Sequence, residues 1–185
     1  MSIAIIVTGC PASGKTTFAQ MLSNELDIPC FSKDLIKIAL SEYIPISNQE
    51  ESSRLSKATV NAMFSVAESL MAVNAPFILE ANFRQYEGNR INELLAKYNY
   101  RCLTYLFGGD LKILGKRFVE RDKTDERRNA NKMFDLVEDY DLYPELFKEF
   151  VGITIGENTV NVDATTFENI DFAYLIRLAD AELSN

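Results

Sequence analysis

Eight residues near the N-terminus have the types and spacing to hold a chain of phosphates. Gly9-Cys10-Pro11-Ala12-Ser13-Gly14-Lys15-Thr16 fills every fixed position of the pattern G-x-x-x-x-G-K-[ST], and Thr17 follows. In such a loop the backbone N–H groups turn inward around the β-phosphate, and glycines stand where a Cβ would block the close approach. Lys15 supplies a flexible cation for the β- and γ-phosphates, and the Thr16 hydroxyl is suited to Mg²⁺. The helix expected beyond the loop points its positive end at the same charge. Residues Gly9 to Thr17 are therefore the expected contacts to a nucleotide.

Other chemistry is bounded by what the chain lacks. It contains no histidine, which removes imidazole triads, proton shuttles and metal ligands. Cys10, Cys30 and Cys102 are too few and too scattered for a zinc site or a disulfide framework, and they read as small core residues. No N-K-x-D segment is present to read guanine, so ATP with Mg²⁺ is the expected cofactor pair. Arg117 and Arg121 stand four residues apart in a helical pattern, which puts two like charges on one face. That spacing is unfavourable unless an anion lies between them.

The elements that must position these groups are legible in the apolar pattern. Ser2 to Thr8 is a non-alternating β-branched run, as in a strand buried on both faces of a parallel sheet. A helix over Lys15–Leu26 follows the loop, then a short strand over Ile28–Phe31. Asp34–Leu40 reads as a helix too apolar to lie wholly on a surface, with Leu35, Ile36, Ile38, Ala39 and Leu40. Ser47 and Glu50 are placed as a capping box for a helix reaching about Val73. A buried strand at Phe77–Leu79, a helix from Arg84 to Tyr98 and a strand from Tyr100 to Phe107 come next. Asp110 is expected to cap a helix through about Asp122. A polar stretch follows, then a short helix near Pro144, one or two short strands between Gly152 and Val162, and a helix from about Phe167 to Leu183. Strands alternating with helices predict an α/β fold: a three-layer sandwich with a parallel sheet of about five strands and helices on both faces.

The 185 residues fit a single domain, with about 122–132 as a small lid. The apolar fraction of 47% is enough to bury a full core. No run approaches the length of a membrane span, and the opening residues lack a basic leader segment, so a cytoplasmic chain without membrane association is expected. The net charge of −8 argues against broad binding to nucleic acid. That charge is uneven: Lys112 to Lys132 carries eight basic residues against four acids, whereas Met133 to the end carries twelve acids against two bases. A basic island in an acidic chain points to one anionic ligand at one place.

Four segments, taken in order, give the chain a family resemblance: the loop Gly9–Thr17; Phe31-Ser32-Lys33-Asp34; Phe77-Ile78-Leu79-Glu80-Ala81-Asn82-Phe83-Arg84; and Leu114-Gly115-Lys116-Arg117-Phe118-Val119-Glu120-Arg121. Through nearly its whole length the chain resembles the small P-loop kinases, a group with AAA-type ATPase likeness that includes chloramphenicol phosphotransferases, zeta-type toxins and polynucleotide 5′-kinases. The resemblance implies a P-loop NTPase fold of the nucleoside-kinase kind. It implies that Asp34 acts on an acceptor hydroxyl, a role open to a carboxylate beside the phosphate loop, with a helix N-cap as the bland alternative. Glu80 falls where the family has an acidic residue near metal and acceptor, so contact with Mg²⁺ and contact with the acceptor are both open. Asn82 and Arg84 are either acceptor or phosphate contacts, or a helix cap and a solvated first-turn residue. Arg117 and Arg121 match arginines set around the transferred phosphoryl group. Arg127 and Arg128 match a lid that closes over ATP. Tyr43, Met63 and Phe64 either wall the acceptor pocket or belong to the core.

Three functions follow. The favoured one is a kinase moving the γ-phosphoryl group of Mg-ATP to a hydroxyl of a small-molecule acceptor, with Lys15, Asp34, Arg117 and Arg121 as catalytic residues. A polynucleotide 5′-hydroxyl kinase is the second, disfavoured by charge. An ATP-hydrolysing switch or assembly factor acting through a protein partner is the third.

Overall fold

The computed structural model describes residues 2–124 and 139–184. Strand β1 (Ile3–Gly9) is buried at every residue and leads through the glycine loop into α1 (Lys15–Leu26). Then come β2 (Cys30–Ser32), α2 (Lys33–Ser41), α3 (Gln49–Ala72), β3 (Phe77–Glu80), α4 (Gln85–Tyr98), β4 (Arg101–Gly108) and α5 (Leu111–Thr124). After 139 the chain forms α6 (Tyr143–Phe147), β5 (Asn158–Asp163) and α7 (Phe172–Ser184). The sheet is five-stranded in the order β2-β3-β1-β4-β5, and every pairing is parallel. The chain leaves β1 toward β2 and β3 on one side and later reaches β4 and β5 on the other. The order therefore reverses at β1, the crevice where ligands settle in open α/β sheets. Register aligns Val7 with Glu80, Ser32 with Glu80 and Gly9 with Phe107, so the chemistry-bearing residues emerge together at the C-terminal edge.

Alternation along β1 feeds two cores. Ile3, Ile5 and Val7 pack with Phe18 and Leu22 of α1, Leu114, Phe118 and Val119 of α5, and Leu175 and Ala179 of α7. Ala4 and Ile6 face the other way, onto Val60, Met63 and Ala67 of α3 and Ile91 and Leu94 of α4. Helices thus cover both faces, as the sequence pattern predicts. Phe18 is fixed by rings on three sides, with centroids 5.0 Å from Tyr105, 5.5 Å from Phe107 and 5.6 Å from Phe172, which seats α1 and hence the loop before it.

Local departures from the expected elements have physical causes. The α3 cap is Asn48, not Ser47: its Oδ1 accepts from Glu51 N at 2.9 Å, while Glu51 Oε2 accepts from Ser47 N at 2.7 Å. The signal was read one residue early. Asp110 caps α5 as expected, its Oδ1 accepting from Lys112 N and Ile113 N. Helix α2 does not lie wholly on the surface, as its apolar content predicts: Ile36 packs against the second core, although Leu35 is 47% exposed and Lys37 only 3%. Helix α5 continues through Thr124 with Asp122 buried, so the first residues of the expected lid are helical, and the others, with Arg127 and Arg128, lie outside the described residues. No helix among the described residues is long and apolar enough to cross a membrane.

Candidate functional site

The loop between β1 and α1 owes its shape to two glycines. Gly9 has φ +119°, and a Cβ there would lie 2.0 Å from the Phe107 carbonyl oxygen. Gly14 has φ +87°, and its Cβ would lie 2.4 Å from the Phe167 ring. Neither position admits a side chain without moving a neighbour. Cys10 N donates to Phe107 O at 2.8 Å, and Ser13 Oγ donates to Cys10 O at 2.7 Å, so the loop is closed on itself and on β4. The Lys15 ammonium reaches back to Cys10 O at 2.5 Å and Ser13 Oγ at 3.4 Å. Burial pushes that ammonium down to about 8, against the opposing pull of Glu80 and Asp34. A buried cation at the start of α1, behind a loop bent by two glycines, is suited to a polyphosphate.

Beside it sits a carboxylate pair. Glu80 is 2% exposed and accepts from Ser32 Oγ at 2.5 Å. Its burial pushes the carboxyl up, opposed first by the Lys15 charge, and the Thr16 side chain hydrogen-bonds to it as well. Asp34 is the second residue of α2, not its cap; Ser32 holds the cap position but turns its hydroxyl to Glu80. Lys33 Nζ lies 3.1 Å from Asp34 Oδ1. Thr16 and Glu80 offer hydroxyl and carboxylate oxygens side by side, the donor chemistry of a hard divalent cation that keeps much of its water. These residues fit Mg²⁺.

Two further expected groups brace the site. Asn82 Nδ2 donates to Gly9 O at 2.9 Å, and Phe83 N donates to Thr8 Oγ1 at 3.1 Å, so the exit of β3 is tied to the loop. Arg84 makes a two-pronged pair with Glu149, Nε and Nη2 at 2.7 and 2.9 Å. Among the arginines of α5, Arg117 donates to the carbonyls of Ala164 and Thr165, both at 2.6 Å, and so clasps the turn after β5. Arg121 lies over the Phe118 ring, 5.2 Å from its centroid, beside Asp122 at 3.4 Å, and its charge is felt at Lys15.

One cavity of about 1160 Å³ joins these groups. Pro11 to Thr17, Asp34, Glu80, Asn82, Arg84, Arg117 and Arg121 all line it. Gly9 and Cys10 lie just behind, as the backbone that shapes the loop. Phe64 lines the cavity while Met63 is core, and Tyr43 does neither at 86% exposure. Sequence reasoning missed Ser32, Lys37, Ser52 and Phe167. Lys33 and Lys37 carried the same four-residue like-charge spacing as Arg117 and Arg121. Phe167 carried no such signal: it reaches Gly14 only through the path of the chain after β5.

A parallel sheet with a glycine loop at its switch point and helices on both faces defines a P-loop NTPase of the small-kinase kind. Residues 5–138 match the family described as AAA domain, and the chain belongs to that family. No curated protein matches the sequence. Among solved structures, the chain is similar to a protein of Chloroflexus aurantiacus assigned provisionally as a kinase, at 24% identity and TM-score 0.82 over 97% of each chain. It is also similar to a gluconokinase from Sinorhizobium meliloti, at 16% identity and TM-score 0.55, covering 98% of this chain and 91% of that one. A shikimate kinase from Bacteroides thetaiotaomicron gives 11% identity and TM-score 0.57 over 99% of each chain. At such identities these likenesses establish the fold, which is that of small P-loop kinases.

Proposed function

We propose that the chain is a phosphotransferase that moves the γ-phosphoryl group of Mg-ATP to a hydroxyl of a small-molecule acceptor. The observation that carries this reading is that Asp34 and the phosphate loop open into the same cavity. A carboxylate there can orient an alcohol for in-line attack and take its proton. In the step, the acceptor oxygen bonds to the γ-phosphorus and the bond from that phosphorus to the bridging oxygen breaks. The hydroxyl proton passes to Asp34, and ADP leaves. Lys15 and the loop amides hold the phosphates, and Arg121 offsets charge on the transferred group from its position near Lys15. Arg117 supports the nucleotide side through its clasp on Ala164 and Thr165. Thr16 and Glu80 would hold Mg²⁺, which when bound neutralises charge on the β- and γ-oxygens. Asn82 and Arg84 line the acceptor side, and Arg127 with Arg128 belong to the proposed lid.

The test follows labelled γ-phosphate from Mg-ATP into a metabolite extract and, separately, into a 5′-hydroxyl oligonucleotide. The expected outcome is label in a small molecule, reduced on the order of 100-fold or more in Asp34→Asn with ATP affinity kept. Label on the oligonucleotide would favour the polynucleotide reading. Label only in free phosphate, unchanged by the substitution, would favour a switch.

A further inference from the structure

Helix α2 carries its charge inward. Lys33, Asp34 and Lys37 line the cavity while Leu35 is left in solvent. Lys37 is 3% exposed, and its Nζ donates to Ser52 Oγ at 2.8 Å. An ammonium has three N–H donors, and this hydrogen-bond partner is a neutral hydroxyl. Asp34 Oδ1 lies 3.1 Å from Lys33 Nζ, and among the described residues no ion pair joins a carboxylate to Lys37. A post that only tied α2 to α3 would be filled at lower cost by an apolar side chain of the same length. Burial, aggravated by Lys33 and opposed only in part by Asp34, pushes the ammonium down to about 8, and a further anion beside it would offset that penalty. The facing wall is α3, where Ser52, Ser53 and Ser56 line the cavity along one face with Lys57. Hydroxyls and a second cation around a buried ammonium that Asp34 offsets only in part make a pocket for an anion.

We propose that the acceptor is itself anionic: a small hydroxylated molecule whose carboxylate or phosphate sits on Lys37 and the Ser52 hydroxyl while its hydroxyl meets Asp34. This rests on the phosphotransferase reading above. Asp34 and Lys37 are three residues apart on one helix face, so their Cβ atoms are about 5–6 Å apart. The anionic group and the reacting hydroxyl are then only a few bonds from each other, which describes a hydroxy acid or a phosphorylated polyol.

The test divides a metabolite extract by anion exchange into anionic and neutral fractions and offers each, with labelled Mg-ATP, to the full chain. Label from the anionic fraction is expected. For that acceptor, Lys37→Met should raise KM by about 10- to 100-fold, the range of a lost charge-assisted hydrogen bond, with kcat much less changed. Lys37→Arg should recover part of the loss. Unchanged ATP affinity checks that each variant is folded. Phosphatase treatment of the fraction beforehand separates the two sources: transfer that survives marks a carboxylate, and transfer that disappears marks a phosphate. Label from the neutral fraction, or an acceptor KM that ignores Lys37→Met, would overturn the proposal and leave the phosphotransferase reading standing. Transfer from neither fraction would overturn that reading, and the anionic acceptor with it.

Discussion

The two ends of the cavity are built by different means. The phosphate end is made of backbone: Gly9 and Gly14 hold positive φ, Cys10 N is bonded to Phe107 O, and the loop is pinned between β1, β4 and Phe167. The end proposed for the acceptor is made of side chains on α2, α3 and α4, several of them partly in solvent. A backbone cradle tolerates almost no change of residue type, because its shape is the function. A wall of serines and lysines can be exchanged one group at a time. The first end therefore identifies a class of protein, and the second, on the proposed function, is where members of that class would differ.

The sharpest way to break this contrast is a single methyl group at each end. Gly9→Ala sets a Cβ 2.0 Å from the Phe107 carbonyl at φ +119°, so β1 and β4 must separate or the loop must reshape. The expected loss exceeds about 3 kcal/mol in chemical denaturation, with nucleotide binding abolished. Ser53→Ala, on the acceptor wall, should cost no more than about 0.5 kcal/mol. Equal losses at the two positions would mean that the acceptor wall is as tightly specified as the loop.

The same division explains what the sequence revealed. The motif from Gly9 to Thr16, the run Ile3–Val7 and the spacing of Phe18 and Leu22 specify strand, loop and helix locally, so that part was legible without contacts. Asp34 and Glu80 also gather at the cavity, because strand ends in a parallel sheet converge at one edge, and Arg121 reaches it from the last turn of α5. Which charged group of α2 turns inward was not legible: its apolar residues outnumber its charges, and Lys37 is buried only through its contact with Ser52 of α3. Arg84 shows the same limit. Its partner Glu149 lies sixty-five residues away, so no local pattern could reveal the pair. Ser32 gave no sign in the sequence of its contact, since its hydroxyl donates to Glu80 across the β2–β3 register.

A smaller effect, sorted by pH, sharpens the comparison. Each end buries one lysine, Lys15 and Lys37, and both ammonium groups are pushed from 10.5 down to about 8, chiefly by burial. Between those values the unfolded chain binds more protons than the folded one, so each lysine's penalty is complete below about pH 8 and fades as pH rises toward 10.5. Lys15→Met and Lys37→Met should therefore gain stability relative to wild type at neutral pH, by at most roughly 3 kcal/mol each before lost hydrogen bonds are counted. That gain should shrink through the same window. Mg-ATP should cancel the Lys15 part of the pH dependence and leave the Lys37 part. Denaturation curves of the three proteins at pH 7, 8.5 and 10 would separate the two contributions, and parallel curves would refute a depressed ammonium at either end.

A weak coupling is expected at Arg84, at the edge of the proposed acceptor wall. Its guanidinium grips Glu149 with two hydrogen bonds and lies 5.5 Å from the Phe150 ring centroid, yet both partners are more than two-fifths exposed. An ion pair so open to water is weak even with good geometry, so a double-mutant cycle over Arg84→Ala and Glu149→Ala should give a coupling of about 1 kcal/mol or less. Catalysis sets a different measure. If Arg84 serves the acceptor through its ordered position, Glu149→Ala frees the arginine and should raise acceptor KM only slightly, while Arg84→Ala raises it several-fold. Matching KM values in the two variants would reduce Arg84 to a strut between the start of α4 and the turn at Glu149. The acceptor end would then rest on α2 and α3 alone, with Lys37 at its base.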